Sequence, residues 1–250
     1  MAQLFGHEKL KVFQKGMAFA VLRDKLLAGL PRRVAACDHL ERGAESILVN
    51  LAHASSSWSA KERIVFLGHA NGSALECAAC LDIFVAKNLC ASQDAYPGKS
   101  LLAEIVSILI TMKGTTASRV CEEHAVYRTE AERLFSHENL IVYQTALRLT
   151  GWVESLFSAF SCSTDLLSKL DTSTTAIVLN LAEGNGRFSG ADQAKFLGLA
   201  YKATVQSAAL VDLATAHDFA ETFRAEEGRE KLRSVAAMLT SLSRVASRTA

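Results

Sequence analysis

"LFGHEKLKVFQ" at residues 4–14 and "LFSHENLIVYQ" at residues 134–144 are one pattern written twice. Leu, Phe, His, Glu, Leu, Val and Gln recur at a constant offset of 130. The offset holds onward without a gap. "ILVNLA" from Ile47 meets "IVLNLA" from Ile177, and "SAKERIVFLGHA" from Ser59 meets "SGADQAKFLGLA" from Ser189. Asp82 then meets Asp212, and Leu102, Ile105, Leu109 and Met112 meet Leu232, Val235, Leu239 and Leu242. Self-similarity at a fixed period marks a repeated structural unit. The expected organisation is one domain over 1–117, a helical linker over 118–133 and a second domain over 134–250. The linker has no Gly or Pro, unlike a flexible one.

Each copy parses into four helical segments. In the first copy they fall near 7–30, 34–57, 60–89 and 99–114. Leu102, Ile105, Leu109 and Met112 lie on one helical stripe. Pro31 and Pro97-Gly98 are expected to mark connections. Ser59 with Glu62 reads as a capping box, and Ser189 with Asp192 as a weaker one. No alternating β-branched run bounded by turn residues is present. The fold class predicted is all-α: two tandem antiparallel four-helix bundles related by internal duplication.

Composition agrees and narrows the function classes. The 250 residues are 50% hydrophobic, with two prolines and 14 glycines. Net charge is +1, so no broad basic footprint points to nucleic acid or an anionic membrane. The six cysteines, at 37, 77, 80, 90, 121 and 162, are unevenly split between the copies and do not resemble a disulfide framework. The N-terminus has no signal-peptide apolar core. The apolar run 101–112 is short for a bilayer span and contains Glu104. A cytoplasmic protein without a membrane role is expected.

The stretch "NLAEGNGRFSGADQAKF" at residues 180–196 poses a choice between a phosphate cradle and a corner between helices. A P-loop needs a preceding strand and a lysine, and both are missing. The corner reading makes Gly184 a left-handed helix stop, Gly186 a tight turn and Ser189 the start of the next helix. Glu183 and Arg187 can pair across it. Asn50 and Asn180, set among apolar neighbours, are expected to hydrogen-bond and fix the second-to-third-helix corner. Gly68 and Gly72 are expected to let helices approach closely.

These residues resemble the four-helix-bundle family of proteins encoded within intervening sequences of bacterial 23S ribosomal RNA genes. That family also includes the accessory variability determinant proteins of diversity-generating retroelements. The second copy keeps the family's corner in Asn180, Ala182, Glu183, Gly184, Gly186 and Arg187, and its Phe-Leu pair in Phe196 and Leu197. Val178-Leu179 stands where the family has Ile-Pro. The first copy keeps Asn50, Ala52, Ser59, Phe66 and Leu67, with the corner reduced to "HASSSW". The resemblance implies a four-helix bundle and an oligomeric habit. The retroelement accessory proteins form pentameric barrels with basic surfaces that bind RNA and a reverse transcriptase. No catalytic residue set is carried over.

Other constellations point away from catalysis. Cys77 and Cys80 form half of a zinc pattern, but the second copy has Ser207 and Leu210 there, so buried thiols are expected. Glu-x-x-His pairs of a di-iron bundle are absent. His7-Glu8 and His137-Glu138 read as polar helix starts. Ser55-Ser56-Ser57 reads as a polar corner. Arg32, Arg33, Arg42, Arg224, Arg229, Arg233, Arg244 and Arg248 are the candidate nucleic-acid contacts, though acidic residues interleave with them. The function expected is a non-catalytic scaffold or adaptor, bound to another protein or to itself. An RNA-binding accessory role is the alternative. No cofactor, metal or small-molecule substrate is expected.

Overall fold

The computed structural model describes residues 6–117, 134–159, 164–186, 190–216 and 222–246. The first half contains a 3₁₀ turn at Gly6–Lys9, then α1 (Lys11–Leu27), α2 (Ala35–Ser56), α3 (Ala60–Ala86) and α4 (Ser92–Ala117). The second half contains a 3₁₀ turn at Ser136–Asn139, then α5 (Ile141–Ala159), α6 (Thr164–Asn185), α7 (Gly190–Ala216) and α8 (Thr222–Ala246). Among the described residues there is no strand. In each half consecutive helices pack side by side and the first closes on the fourth. The proposed linker at 118–133 lies outside the described residues.

The apolar periodicity explains most of this. On α2, Ala36, Leu40, Gly43, Ala44, Ile47, Leu51 and Ala54 form a stripe at helical spacing, and all are buried. On α4, Leu102, Ile105 and Leu109 are buried at the predicted positions. Helix α3 differs: Leu67, Ala70, Ala74, Leu75, Ala78, Ala79, Leu81, Ile83 and Phe84 are buried around its whole circumference. A helix apolar on every side belongs in the middle of a protein. α3 packs on α2 and α4 of its own bundle and on α5 and α6 of the other. The buried apolar residues of both halves thus form one continuous cluster. By length and composition α3 and α4 are apolar enough to cross a membrane; 67% of that stretch of α3 is buried inside the protein and 28% of that of α4.

Several local expectations are corrected. Pro97 and Gly98 lie inside α4, which starts five residues earlier at Ser92. Proline there gives up the helical hydrogen bond that an N–H at this position would make to residue 93. Gly98 is a packing residue: a Cβ on it would lie 2.9 Å from Leu81 Cδ1. Its repeat partner Gly228 does the same against the Trp152 ring. Ser59 sits at the N-cap of α3 but makes no side-chain cap bond. The local closure comes from Arg63, whose guanidinium donates to the Ala54 and Ser57 carbonyls at the end of α2. Gly68 faces open space.

Candidate functional site: the seam between the bundles

The corner glycines lead to the seam. α6 runs on through Asn185, and no described glycine has a positive φ. Gly184 is therefore not a left-handed stop. A Cβ on Gly184 would lie 2.9 Å from Phe196 Cβ, so this glycine lets α6 press against α7. At Gly186 a Cβ would lie 1.9 Å from Leu75 Cδ1 of the other bundle. Its carbonyl accepts from Asn71 Nδ2 at 3.2 Å. The second-copy corner is thus shaped to sit on α3. The first copy has Ala54 and Ser56 in place of the two glycines. Arg187 lies outside the described residues, so its pairing with Glu183 does too.

The two asparagines also differ from expectation. Asn180 Nδ2 donates to the Ala176 carbonyl at 2.7 Å, one turn back in its own helix. Asn50 Nδ2 likewise donates to the Ser46 carbonyl at 2.8 Å. Only the first copy extends this to the next helix, through a 2.8 Å bond between the Ser46 and Ser73 hydroxyls. Each Asn thus donates within its own helix, and only Asn50, through the Ser46 hydroxyl at 3.0 Å, joins a bond to the next helix.

Two clusters of buried charge cross the seam. In the first, Lys87 at the C-cap of α3 lies 2.6 Å from Asp171 and 3.3 Å from Glu154. The Lys87 and Asp171 side chains are fully buried. The other oxygen of Asp171 accepts from the Ala35 amide at 2.9 Å. Val34, the N-cap of α2, provides no side-chain cap, so a carboxylate from the second bundle caps this helix. Arg33 forks onto Glu154 and stacks over the Phe157 ring at 4.2 Å. Burial pushes the Glu154 carboxyl up, but Arg33 and Lys87 together hold it below the ordinary value.

In the second cluster Lys99 Nζ lies 2.5 Å from Asp82 Oδ1 and 2.6 Å from Glu138 Oε1. The directed hydrogen bond goes to Asp82, and Glu138 is held by charge. Tyr143, fully buried, donates to the other oxygen of Asp82 at 2.9 Å. His137 is buried between the Phe135 and Tyr143 rings, with neither ring nitrogen hydrogen-bonded. His137-Glu138 is therefore no solvated helix start; it sits in a 3₁₀ turn driven into the seam. Asp82, His137 and Glu138 place three ligand-type atoms within 4.8 Å of one another. The Lys99 ammonium already supplies the positive charge their carboxylates require.

This cluster predicts a pH response. Burial first, then the Lys99 charge, holds His137 down at about 3, against 6.5 for a free imidazole. Between those values the unfolded chain binds the extra proton, so stability falls on acidification from about pH 6.5 toward 3. The slope is at most about 1.4 kcal/mol per pH unit. Burial raises Glu138, which acts in the opposite sense, from its ordinary value up to its raised one. His137→Phe is expected to flatten the fall below pH 6.5 in urea unfolding, leaving the opposite contribution of Glu138 in place. A slope equal to that of the unaltered protein would mean the imidazole is not held neutral by burial.

Among the candidate nucleic-acid arginines whose side chains are described, all but Arg244 pair with a carboxylate. Arg32 pairs with Glu41 and Arg42 with Asp38, both at 2.8 Å. Arg33 belongs to the seam. Arg229 pairs with Asp212 at 2.8 Å and Arg233 with Glu226 at 2.7 Å. Arg244 is exposed near the end of α8. Arg248 and the Arg224 side chain lie outside what the structure describes. Cys77 and Cys80 are buried, and burial raises both thiols well above their ordinary value.

The seam residues escaped the sequence reading because buried charges look like surface charges in a linear pattern. One signal was present: the copies differ at several positions that only one of them covers. Gly151 opposes Ala86 across the seam, and a Cβ on it would lie 2.5 Å from the Ala86 carbonyl oxygen. Its repeat counterpart is the exposed Val21. Asn71 and Leu75 have Tyr201 and Val205 as counterparts, also exposed.

No curated protein and no solved structure matches the chain. The family described as 23S rRNA-intervening sequence protein matches twice, over residues 8–111 and 138–241. These spans reproduce the 130-residue offset and cover both bundles. The chain belongs to the 23S rRNA-intervening sequence protein family, as two consecutive copies of its helical domain.

Proposed function

We propose that the protein is a non-catalytic helical scaffold that works by binding protein through the outer face of α7. One observation carries the reading. Tyr201, Val205 and Leu213 are 42%, 52% and 45% exposed, and Ala209 lies between them on the same helix. Their counterparts on α3, Asn71, Leu75, Ala79 and Ile83, are all buried. Leu75 and Asn71 lie directly against the second bundle. The repeat thus uses this face as a protein contact once already, and leaves it uncovered the second time. An exposed aromatic residue such as Tyr201 is the usual anchor of a protein interface, and apolar neighbours around it exclude water.

The alternative, RNA binding, has the family likeness and the exposed Arg32, Arg42, Arg233 and Arg244 in its favour. Those with described partners already pair with carboxylates, which lowers their attraction for phosphate. Affinity purification of the tagged protein, with and without nuclease, separates the readings. The scaffold reading expects protein recovery that survives nuclease and is lost in Val205→Asp. Recovery abolished by nuclease, or falling steeply with salt, would contradict it and support RNA binding.

A further inference from the structure

In the Lys99 cluster the two ring nitrogens of His137 make no hydrogen bond, although the residue is fully buried. A buried polar group left unpaired costs free energy. A ring nitrogen lies within 4.8 Å of an oxygen of both Asp82 and Glu138. Those two carboxylates, from different bundles, are bridged by one ammonium: Lys99 Nζ is 2.5 Å from Asp82 Oδ1 and 2.6 Å from Glu138 Oε1. A metal ion bridges carboxylates in the same way. A divalent ion would match both negative charges and engage the imidazole, which an ammonium leaves unused.

We propose that Asp82, His137 and Glu138 form a site for a first-row divalent metal ion, zinc above all, and that the Lys99 ammonium holds the ion's place until metal displaces it. The site is independent of the α7 face.

The donor set selects the ion. One imidazole nitrogen and two carboxylate oxygens suit zinc and its neighbours, whereas magnesium and calcium favour oxygen alone. Zinc holds such ligands at about 2.0–2.2 Å in a tetrahedron, which spaces the donor atoms roughly 3.3–3.6 Å apart. The three atoms reach that spacing by closing about 1.5 Å at most, and water fills the fourth position. Tyr143 donates to the other oxygen of Asp82 at 2.9 Å and so orients this carboxylate, as hydrogen bonds behind metal ligands do. Lys99 has a way out. Its side chain is 16% exposed, and its flexible four-carbon stem lets the ammonium reach water.

The site is a product of the seam. Asp82 lies on α3 of the first bundle, and Glu138 and His137 lie in the 3₁₀ turn that precedes α5 of the second. The repeat carries the same residue types at Asp212, Glu8 and His7, but among the described residues only the seam brings such a set together. One ion per chain is expected, and it ties the two bundles to each other. Once one ring nitrogen binds metal, the other has no partner to orient it, and the ring is placed by Phe135 and Tyr143 alone. This limits the affinity, since a hydrogen bond to the far nitrogen strengthens a histidine ligand.

The test titrates the full chain at neutral pH with Zn²⁺, and with Co²⁺ followed by its visible absorption. The unaltered protein is expected to bind one ion and to melt at a higher temperature with it. Lys99→Met removes the competing ammonium. It is expected to melt lower without metal, to be restored by Zn²⁺, and to bind about tenfold or more tightly. His137→Phe is expected to weaken binding by about tenfold or more, both alone and combined with Lys99→Met. The six cysteines are the rival ligands, and thiolate-bound Co²⁺ is told apart by its near-ultraviolet charge-transfer band. Circular dichroism confirms that each variant is folded; if Lys99→Met is not, the comparison with His137→Phe decides. The proposal is overturned by an unaltered chain that binds neither ion, by binding that His137→Phe leaves unchanged, or by an affinity that Lys99→Met does not raise.

Discussion

Asp171→Leu is expected to lower the stability of the whole chain by about 3–5 kcal/mol, the usual cost of removing one partner from a buried ion pair. Asp171 makes two contacts with the first bundle. It neutralises Lys87, whose side chain is fully buried, and it accepts from the Ala35 amide at the start of α2. Without it, Glu154 at 3.3 Å is the remaining carboxylate near Lys87, and Arg33 already holds that group. The loss of the helix cap adds about 1 kcal/mol to the effect. Urea unfolding followed by circular dichroism measures the total. A loss below about 1 kcal/mol, typical of an exposed pair, would show that this pair is open to water.

Gly151→Val is expected to destabilise by about 1–3 kcal/mol, the range for overpacking a filled core. Elsewhere on a helix, replacing glycine with a larger residue adds stability, because glycine is a poor helix former. The sign reverses here for a geometric reason. The new Cβ would lie 2.5 Å from the Ala86 carbonyl oxygen, and a backbone atom in α3 cannot rotate away. The bundles must separate locally, and the Lys87 cluster beside this point loosens with them. Val21→Gly, at the same place in the first repeat, is expected to cost no more than about 1 kcal/mol of folding stability. Thermal unfolding of the two variants side by side is the check. Stabilisation by Gly151→Val would mean the bundles do not touch at Ala86.

Much of the architecture was legible because apolar periodicity and the 130-residue offset are local or additive signals. The stripe on α4 fell where the spacing put it. The unbroken apolar circumference of α3 also signals a central helix, although it was not read that way from the sequence. What the sequence concealed was long-range pairing. Asp82, Lys87, Glu138 and Asp171 have the identities of surface residues, and only their partners across the seam make their burial tolerable. Gly184 and Gly186 were read by their usual role in turns. Their actual role, allowing close contact with Phe196 and Leu75, depends on neighbours in other helices. The asparagines were assigned a direct corner bond, whereas each donates to a carbonyl one turn back in its own helix, and only Asn50 reaches the next helix, by way of Ser46.

The contact between repeats is also the source of the functional argument. A face that is covered in one copy and open in the other supports the proposed binding surface without reference to any partner. Tyr201 and Val205 on α7 are the residues that this comparison selects.

The weld between the bundles is tested most directly by a double-mutant cycle on Lys87→Met and Asp171→Leu. Each single change is expected to cost about 3–5 kcal/mol, while the double change costs no more than about 1–2, since an apolar pair fills the space and strands no charge. Costs that simply add would mean the two side chains do not meet, and this buried pair would not hold the halves together.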